Sequence, residues 1–247
     1  LEDFSAPRCF EIEARLKSEL DIPVFHDDQH GTAIVVLAGL INALKIVKKK
    51  KQNIKVVVNG VGAAGVAITK LLHLYGVNNI LLVDSKGLVC NERINLNTTK
   101  QKLIKKEAHQ NICGSLVDAL VDADVFIGVS APDILRKTEI SVMSVDPIIF
   151  ALANPNPEIK PELASKLNVA VLATGRSDYP NQINNVLVFP GIFKGVFVKN
   201  KKQITDKMKI NVAKALAGMV KKPTAKKIIP GPFTTGVADV VARAVAK

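Results

Sequence analysis

The chain has 247 residues, of which 48% are hydrophobic and only 4% aromatic, and its formal net charge is +12. This length fits one large α/β domain, or a domain with a smaller appendage, and the aliphatic composition is typical of helices packed on a parallel sheet. The basic charge is compatible with nucleic acid, a membrane surface or an anionic small ligand. Because the lysines cluster beside predicted helix ends and loops without interleaved aromatic residues, we interpret them as a solvated surface and expect no nucleic-acid partner.

The cysteines and apolar segments indicate the compartment. Cys9, Cys90 and Cys113 have no metal-type spacing, and their odd number argues against a disulfide framework, so we expect a reducing, cytoplasmic location. The apolar run 33–41 is too short to span a bilayer, so we expect no membrane partner. We recognise no signal peptide at the start, and because the chain begins at Leu1 rather than at Met we expect that preceding sequence is missing.

The first 50 residues predict two helices separated by an acidic loop. Residues 5–20 have helical spacing, with Ser5 as the cap and Pro7 in the first turn. A short strand-like step at residues 24–25 leads into the acidic loop. Residues 31–49 then predict a buried helix that ends in lysines, which favour the negative end of the helix dipole.

Strands and helices alternate through the rest of the chain. We predict strands at 54–59, 80–83, 125–129, 148–153 and 169–173, and late helices at 204–219 and 236–246. Such alternation predicts an α/β fold: a doubly wound, mostly parallel, Rossmann-like sheet with flanking N- and C-terminal helices. We divide the chain into residues 1–50, with the acidic motifs and the helices that pack on the nucleotide domain, and residues 51–247, the dinucleotide-binding domain.

A glycine-rich turn follows the first predicted strand and opens a helix, as a dinucleotide-binding loop requires. Its G-x-G-x-x-G pattern comprises Gly60, Val61, Gly62, Ala63, Ala64 and Gly65. The first glycine allows the tight turn, the second lets the pyrophosphate approach, and the third lets helix and strand pack closely. Asp84 ends the next strand, where an acid accepts hydrogen bonds from the adenosine ribose. It would repel a 2′-phosphate and favour NAD, whereas Ser85 and Lys86 could soften that repulsion and admit NADP.

Two acidic pairs lie at neighbouring element ends. Glu2 and Asp3 precede the first helix, and Asp27 and Asp28 precede the second. Converging carboxylates are costly unless a cation neutralises them, and oxygen ligands suit Mg²⁺ or Mn²⁺. Spacing alone favours ordinary N-capping acids over a metal site. A zinc site at the flanking histidines lacks a ligand set with suitable spacing.

These segments resemble the acidic motifs of malic enzymes, particularly the smaller bacterial type. The resemblance continues through the glycine loop and four further motifs in the family's order, which together span nearly the whole chain: residues 128–132, 151–155, 174–185 and 189–191.

The resemblance implies oxidation of malate with NAD or NADP, decarboxylation to pyruvate and CO₂, and a divalent metal. It implies that Glu2, Asp3 and Asp28 hold the metal and that Asp27 lies beside the substrate and supports the proton-transfer residues. It places Ser130 near the nicotinamide, Asn154 beside cofactor and substrate, and Asn185 beside the substrate. It also implies at least a homodimer.

The resemblance leaves one gap, because the family's lysine base and tyrosine acid precede the first motif present here. We therefore expect this chain by itself to be inactive, with the upstream catalytic domain missing, and we assign Tyr179 to packing. Three alternatives stay open: a non-catalytic dinucleotide-binding module, another Rossmann oxidoreductase such as an amino-acid dehydrogenase domain, and a nucleic-acid binder whose affinity would fall steeply with salt.

Overall fold

In the computed structural model, which describes residues 1–94, 96–106, 108 and 112–246, the strands form one six-stranded sheet. The strands are β1 Lys55–Asn59, β2 Asn79–Asp84, β3 Gly87–Leu88, β4 Val125–Gly128, β5 Ile148–Ala151 and β6 Val171–Thr174. Their order is β3-β2-β1-β4-β5-β6, and all neighbours are parallel except β2 and β3. The predicted doubly wound parallel sheet is confirmed. The two-residue antiparallel edge strand β3 is an addition that its short sequence did not predict.

Helices cover both faces of the sheet. They are α1 Arg8–Glu19, α2 Thr32–Ile46, α3 Ala63–Tyr75, α4 Thr98–Lys106, α5 Leu116–Leu120, α6 Lys137–Ser141, α7 Pro161–Ala164, α8 Phe189–Val198, α9 Asp206–Met219 and α10 Val237–Val245. Alternate residues of β1 point to opposite sides: Val56 and Val58 join the core under α2, α3, α8, α9 and α10, and Val57 joins the core under α5, α6 and α7. Both faces are thus dry, as a parallel sheet requires.

The N-terminal elements differ from the prediction in detail. Helix α1 begins at Arg8 rather than Ser5, because Pro7 is the N-cap residue and no side chain caps the helix. Residues 24–25 belong to none of the strands. A π-helical turn, Asp27–Gly31, precedes α2, so the acidic pair belongs to a helical turn and not to an open loop.

The apolar helix is longer than its sequence run suggested. The helical stretch Asp27–Ile46 has 20 residues and, by length and composition alone, could cross a membrane. The length of the run 33–41 therefore does not describe the helix as a whole. Since 72% of the stretch is buried inside the fold, its apolar surface is already covered by neighbouring elements such as α3 and α9.

Two expectations about side chains are also corrected. Cys90 and Cys113 form a disulfide with their Cα atoms 5.4 Å apart, because the chain after β3 folds back against the segment before α5; only Cys9 is free. The lysines near residue 50 are not all solvated. Lys49 donates to Asp124 Oδ1 at 2.7 Å and to Ser144 Oγ at 2.8 Å, tying the end of α2 to the sheet.

Candidate active site at the carboxyl edge of the sheet

A cleft of about 860 Å³ opens at the carboxyl ends of β4, β5 and β6. Ligands of open α/β sheets bind at this edge, because strand ends and helix N-termini meet there. Four predicted site residues and one glycine-loop residue line the cleft: Asp28, Ala64, Ser130, Asn154 and Asn185. A cleft of about 830 Å³ at the opposite edge includes none of the predicted residues in its described lining. The fold therefore brings residues from five separate motifs to one place.

The glycine loop has the tight geometry that its predicted role demands. Gly60 has φ +108°, and a Cβ there would lie 2.6 Å from the carbonyl oxygen of Val129. A Cβ at Gly65 would lie 1.8 Å from the carbonyl oxygen of Gly60. A Cβ at Gly62 would meet nothing within 4 Å. Two glycines thus permit the close packing of loop, helix and strand, and the third leaves space in front of the amides at the start of α3, where an anion binds favourably.

Asp84 lies at the end of β2 within a basic cluster. Arg93 donates to both carboxylate oxygens, at 2.9 and 3.2 Å, and Lys100 donates to Oδ2 at 2.5 Å. Partial burial opposes ionisation of Asp84, but the hydrogen bonds from Arg93 and Lys100 prevail and lower its pKa to about 2. Its charge is therefore largely neutralised by partners that the sequence analysis missed, because they lie 9 and 16 positions downstream with no motif to mark them.

The two acidic motifs meet through the backbone. The backbone N–H of Asp27 donates to the carbonyl oxygen of Leu1 at 3.1 Å, and the nitrogen of Leu1 donates to the carbonyl oxygen of Phe25 at 2.8 Å. The backbone N–H of Asp3 then donates to Asp28 Oδ2 at 2.8 Å. The first residues of the chain thus bring Asp3 beside Asp28, which the sequence had only suggested.

Asp27 is the buried acid of this group. It is 5% exposed, and its Oδ1 is buried with no hydrogen-bond partner among the residues that the structure describes. Burial, with the nearby carboxylates of Asp28 and Glu2, raises its pKa to about 6. The oxygen lies against Gly31, where a Cβ would come within 2.0 Å of it. An unpartnered buried oxygen among carboxylates is a feature expected where a cation or substrate group completes the site.

Asp28 is hydrogen-bonded to a network of buried side chains. His26, fully buried, has its Nε2 3.2 Å from Asp28 Oδ2 and its Nδ1 2.7 Å from Gln29 Nε2. Because Gln29 Nε2 can only donate, the ring proton is on His26 Nε2 and points at Asp28. Gln29 also donates to Glu13 Oε2 at 3.1 Å, and Glu13 Oε1 lies 2.7 Å from His30 Nε2. The histidines therefore orient a carboxylate, and neither belongs to a metal-type cluster among the described residues.

No three Asp, Glu, His or Cys side chains converge closely enough to hold a metal ion in the part of the chain that the structure describes. Glu2 and Asp3 are exposed and Asp28 is half-buried. Of the proposed ligands Glu2, Asp3 and Asp28, Asp3 contacts Asp28 through its backbone N–H, but the three carboxylates do not form a cluster among the described residues. Their oxygen chemistry and the unpartnered Asp27 Oδ1 fit a hard divalent cation, and the ligand assignment stays a prediction.

The remaining predicted residues lie on the cleft wall. Ser130 follows β4, and its Oγ accepts from Asn59 Nδ2 at 2.5 Å. Asn154 follows β5 and is exposed to the cleft. Asn185 begins the 3₁₀ turn Asn185–Leu187, and its Cβ is 3.0 Å from the position that a Cβ of Gly31 would occupy. The acidic motif and the Asn185 turn are therefore in direct contact.

Sequence reasoning also missed Glu158, a fully buried acid behind this wall. Its only sequence sign is a charge between Pro157 and Ile159, next to a buried strand. Tyr179, assigned to packing, donates its hydroxyl to Glu162 Oε1 at 2.8 Å.

Comparison with known proteins decides the family. The family profile described as "Malic enzyme, NAD binding domain" matches residues 29–247. The chain belongs to the malic enzyme family. The resemblance inferred from the motifs is thereby confirmed, and the Rossmann-like sheet is the one that malic enzymes share.

Several malic enzymes are similar to the chain over its whole length. It is 54% identical over 250 residues to the bifunctional malic/malolactic enzyme of Bacillus subtilis, covering 100% of this chain and 61% of that protein. It is 56% identical over 247 residues to the NAD-dependent malic enzyme of Geobacillus stearothermophilus, covering 99% of this chain and 52% of that protein. The crystal structure of the NAD-dependent malic enzyme from Thermotoga maritima superposes with a TM-score of 0.95 at 47% identity, covering 100% of this chain and 65% of that one. The chain therefore spans between half and two thirds of the length of these relatives.

Proposed function

We propose that this chain is the dinucleotide-binding part of an enzyme that oxidises malate with NAD or NADP and decarboxylates it to pyruvate and CO₂, with the help of Mg²⁺ or Mn²⁺. One observation supports this most directly. The acidic motif, through Asp28, faces the same cleft as Asn154 and Asn185, beside the first turn of the glycine-loop helix. A domain that binds a dinucleotide without catalysing a reaction would not require an acidic pair near the nicotinamide.

The residues of the proposed site have different roles, which follow from their chemistry. Amides at the start of α3 hold the pyrophosphate, and Asp84 accepts from the adenosine ribose. The amides of Asn154 and Asn185 can donate to a malate carboxylate and accept from its hydroxyl. Glu2, Asp3 and Asp28 would hold the metal, with Asp27 beside the substrate. When bound, the metal would polarise the hydroxyl of malate and the carbonyl formed from it.

The basic cluster at Asp84 bears on the choice of cofactor. An unpaired acid would repel a 2′-phosphate, but Arg93 and Lys100 offset most of the charge of Asp84. The site is therefore compatible with either dinucleotide, and both belong in the assay.

Two further features are proposed from the family resemblance. The lysine base and tyrosine acid of malic enzymes match no residue of this chain, so we infer that residues 1–247 by themselves bind the dinucleotide without turning over malate. We also infer that the working enzyme is a homodimer or a higher homo-oligomer, which light scattering on the full-length protein would test.

The test of the main proposal is made on the native full-length protein. Reduction of NAD and of NADP is followed with malate, with and without Mn²⁺, and pyruvate is measured in parallel. Asp28→Asn should lower kcat/KM at least about 100-fold. The substitution removes one proposed ligand of the metal, and a bound metal stabilises the transition state by several kcal/mol. Asp21→Asn is the matched control, since Asp21 is exposed and its ion pair is with Lys202 at the surface, away from the cleft.

Metal-dependent malate oxidation that the Asp28 variant loses and the Asp21 variant keeps would establish the proposal. Nucleotide binding without any malate oxidation in the wild type would instead indicate a non-catalytic dinucleotide-binding module.

A further inference from the structure

Glu158 is a buried carboxyl group for which the described part of the chain provides no cationic partner. It lies on the loop between β5 and α7 and has 0% exposure. Among the described residues, only backbone N–H groups are found donating to its carboxylate, and no cation offsets it. Burial raises the pKa of this carboxyl, whereas those N–H groups favour its ionised form. A buried carboxylate without a cation is costly, so its contacts are informative about its purpose.

Each carboxylate oxygen accepts from a different strand end. Glu158 Oε1 accepts from the backbone N–H of Ser130 at 3.1 Å, and Oε2 accepts from the backbone N–H of Ala153 at 3.0 Å. Ser130 follows β4 and Ala153 follows β5, immediately before Asn154. One rigid carboxylate therefore sets the spacing between two segments of the cleft wall. Because both oxygens act as acceptors, the ionised form satisfies this geometry and the protonated form would lose one acceptor.

The surrounding residues make room for this bridge and extend it. Position 128 is a glycine, and a Cβ there would lie 2.3 Å from Glu158 Cδ, so the carboxyl group occupies the space that a side chain would otherwise fill. Ser130 Oγ accepts in turn from Asn59, the residue before the glycine loop. The ends of β1, β4 and β5 are thus linked through Asn59, Ser130 and Glu158. Glu158 itself does not line the cleft, so it can act only through these residues.

We propose that Glu158 is a positioning residue for the nicotinamide half of the bound dinucleotide, because its carboxylate fixes Ser130 and Asn154 relative to each other across the cleft wall. This inference rests on the proposed dinucleotide site. The adenosine half, at Asp84 and the start of α3, has no contact with Glu158 in the described structure and should be independent of it.

The test compares a whole dinucleotide with its adenosine half. Binding of NADH or NADPH, whichever the wild type binds, is measured by fluorescence on the full-length protein without malate, and ADP is titrated by calorimetry. In Glu158→Gln, one acceptor oxygen becomes an NH₂ group facing an N–H donor, so at least one bridge to the wall is lost. The dissociation constant of the reduced dinucleotide should rise about ten- to a hundredfold, the usual effect of losing a hydrogen bond to a charged group. The dissociation constant of ADP should change less than about twofold.

Two further variants keep the test decisive. Gly128→Ala displaces the carboxyl group without changing its charge and should weaken the reduced dinucleotide selectively as well. Glu158→Asp retains the charge on a shorter side chain and replaces Glu158→Gln if that variant does not fold. Glu162→Gln, an exposed glutamate four positions away, is the matched control and should bind both ligands like the wild type.

The outcomes separate a positioning role from a merely structural one. Equal weakening of both ligands, or a lower melting temperature with unchanged affinities in the folded protein, would overturn the proposal. A wild type that oxidises malate while its Glu158 variants bind the reduced dinucleotide normally would overturn only the role of Glu158. A wild type that binds no dinucleotide would overturn the proposed function together with this inference.

Discussion

Two alanine substitutions in the glycine loop should separate an effect on stability from an effect on dinucleotide binding. In Gly65→Ala the new Cβ would lie 1.8 Å from the carbonyl oxygen and 2.9 Å from the carbonyl carbon of Gly60, both backbone atoms. The loop or the helix must shift to accommodate it. In Gly62→Ala the new Cβ would meet nothing within 4 Å, and φ at this residue is −94°, which alanine adopts readily.

The magnitudes follow from these contacts. Inserting a methyl group into a packed site costs about 1–3 kcal/mol, so Gly65→Ala should lower the melting temperature by roughly 2–12 °C in a domain of this size. Gly62→Ala should change stability by less than about 0.5 kcal/mol. Its methyl group occupies the space through which the pyrophosphate approaches the backbone, so dinucleotide affinity should fall at least about tenfold in a fully folded protein.

Differential scanning calorimetry and dinucleotide titration on the same preparations measure both effects. Gly62→Ala with wild-type affinity would refute the placement of the pyrophosphate at this turn. Gly65→Ala with wild-type stability would show that the close approach of α3 to Gly60 does not constrain the loop as argued.

Three further predictions concern charge and helix stability. Glu13 is 6% exposed, and burial opposes its ionisation, but His30 and Lys17 lower its pKa to about 2, below the ordinary 4.5. The ionised Glu13 therefore stabilises the fold above pH 4.5, and this stabilisation is lost as the pH falls towards 2. Urea unfolding should therefore show a steeper loss between pH 4.5 and 2.5 in the wild type than in Glu13→Gln, and parallel curves would contradict this. Arg93→Ala removes a cation from Asp84 and should shift the ratio of NADP to NAD affinity about tenfold towards NAD, with an unchanged ratio as the contrary result. Gly218→Ala, on an exposed position of α9 with open space around it, should raise the free energy of unfolding by about 0.5–1 kcal/mol, and no gain would mean that α9 frays before this position.

Local patterns in the sequence were sufficient for much of the fold. Aliphatic runs of four to six residues predicted β1, β2, β4, β5 and β6, because strands buried on both faces must be continuously apolar. The glycine loop was recognisable because its turn, its phosphate approach and its helix packing each require a residue without a side chain at a fixed spacing. The order of the motifs along the chain was enough to indicate the family.

Only the tertiary structure decided which distant residues become neighbours. Arg93 and Lys100 neutralise Asp84, Glu158 bridges Ser130 and Ala153, and Cys90 pairs with Cys113; none of these contacts follows from local spacing. The physical reason is that helix and strand periodicity constrain only a few positions along the chain, whereas charge pairing and disulfide formation depend on distances through space. The sequence by itself therefore determined the sheet, the glycine loop and the acidic motifs, and the packing of strand ends decided how those motifs meet in one cleft.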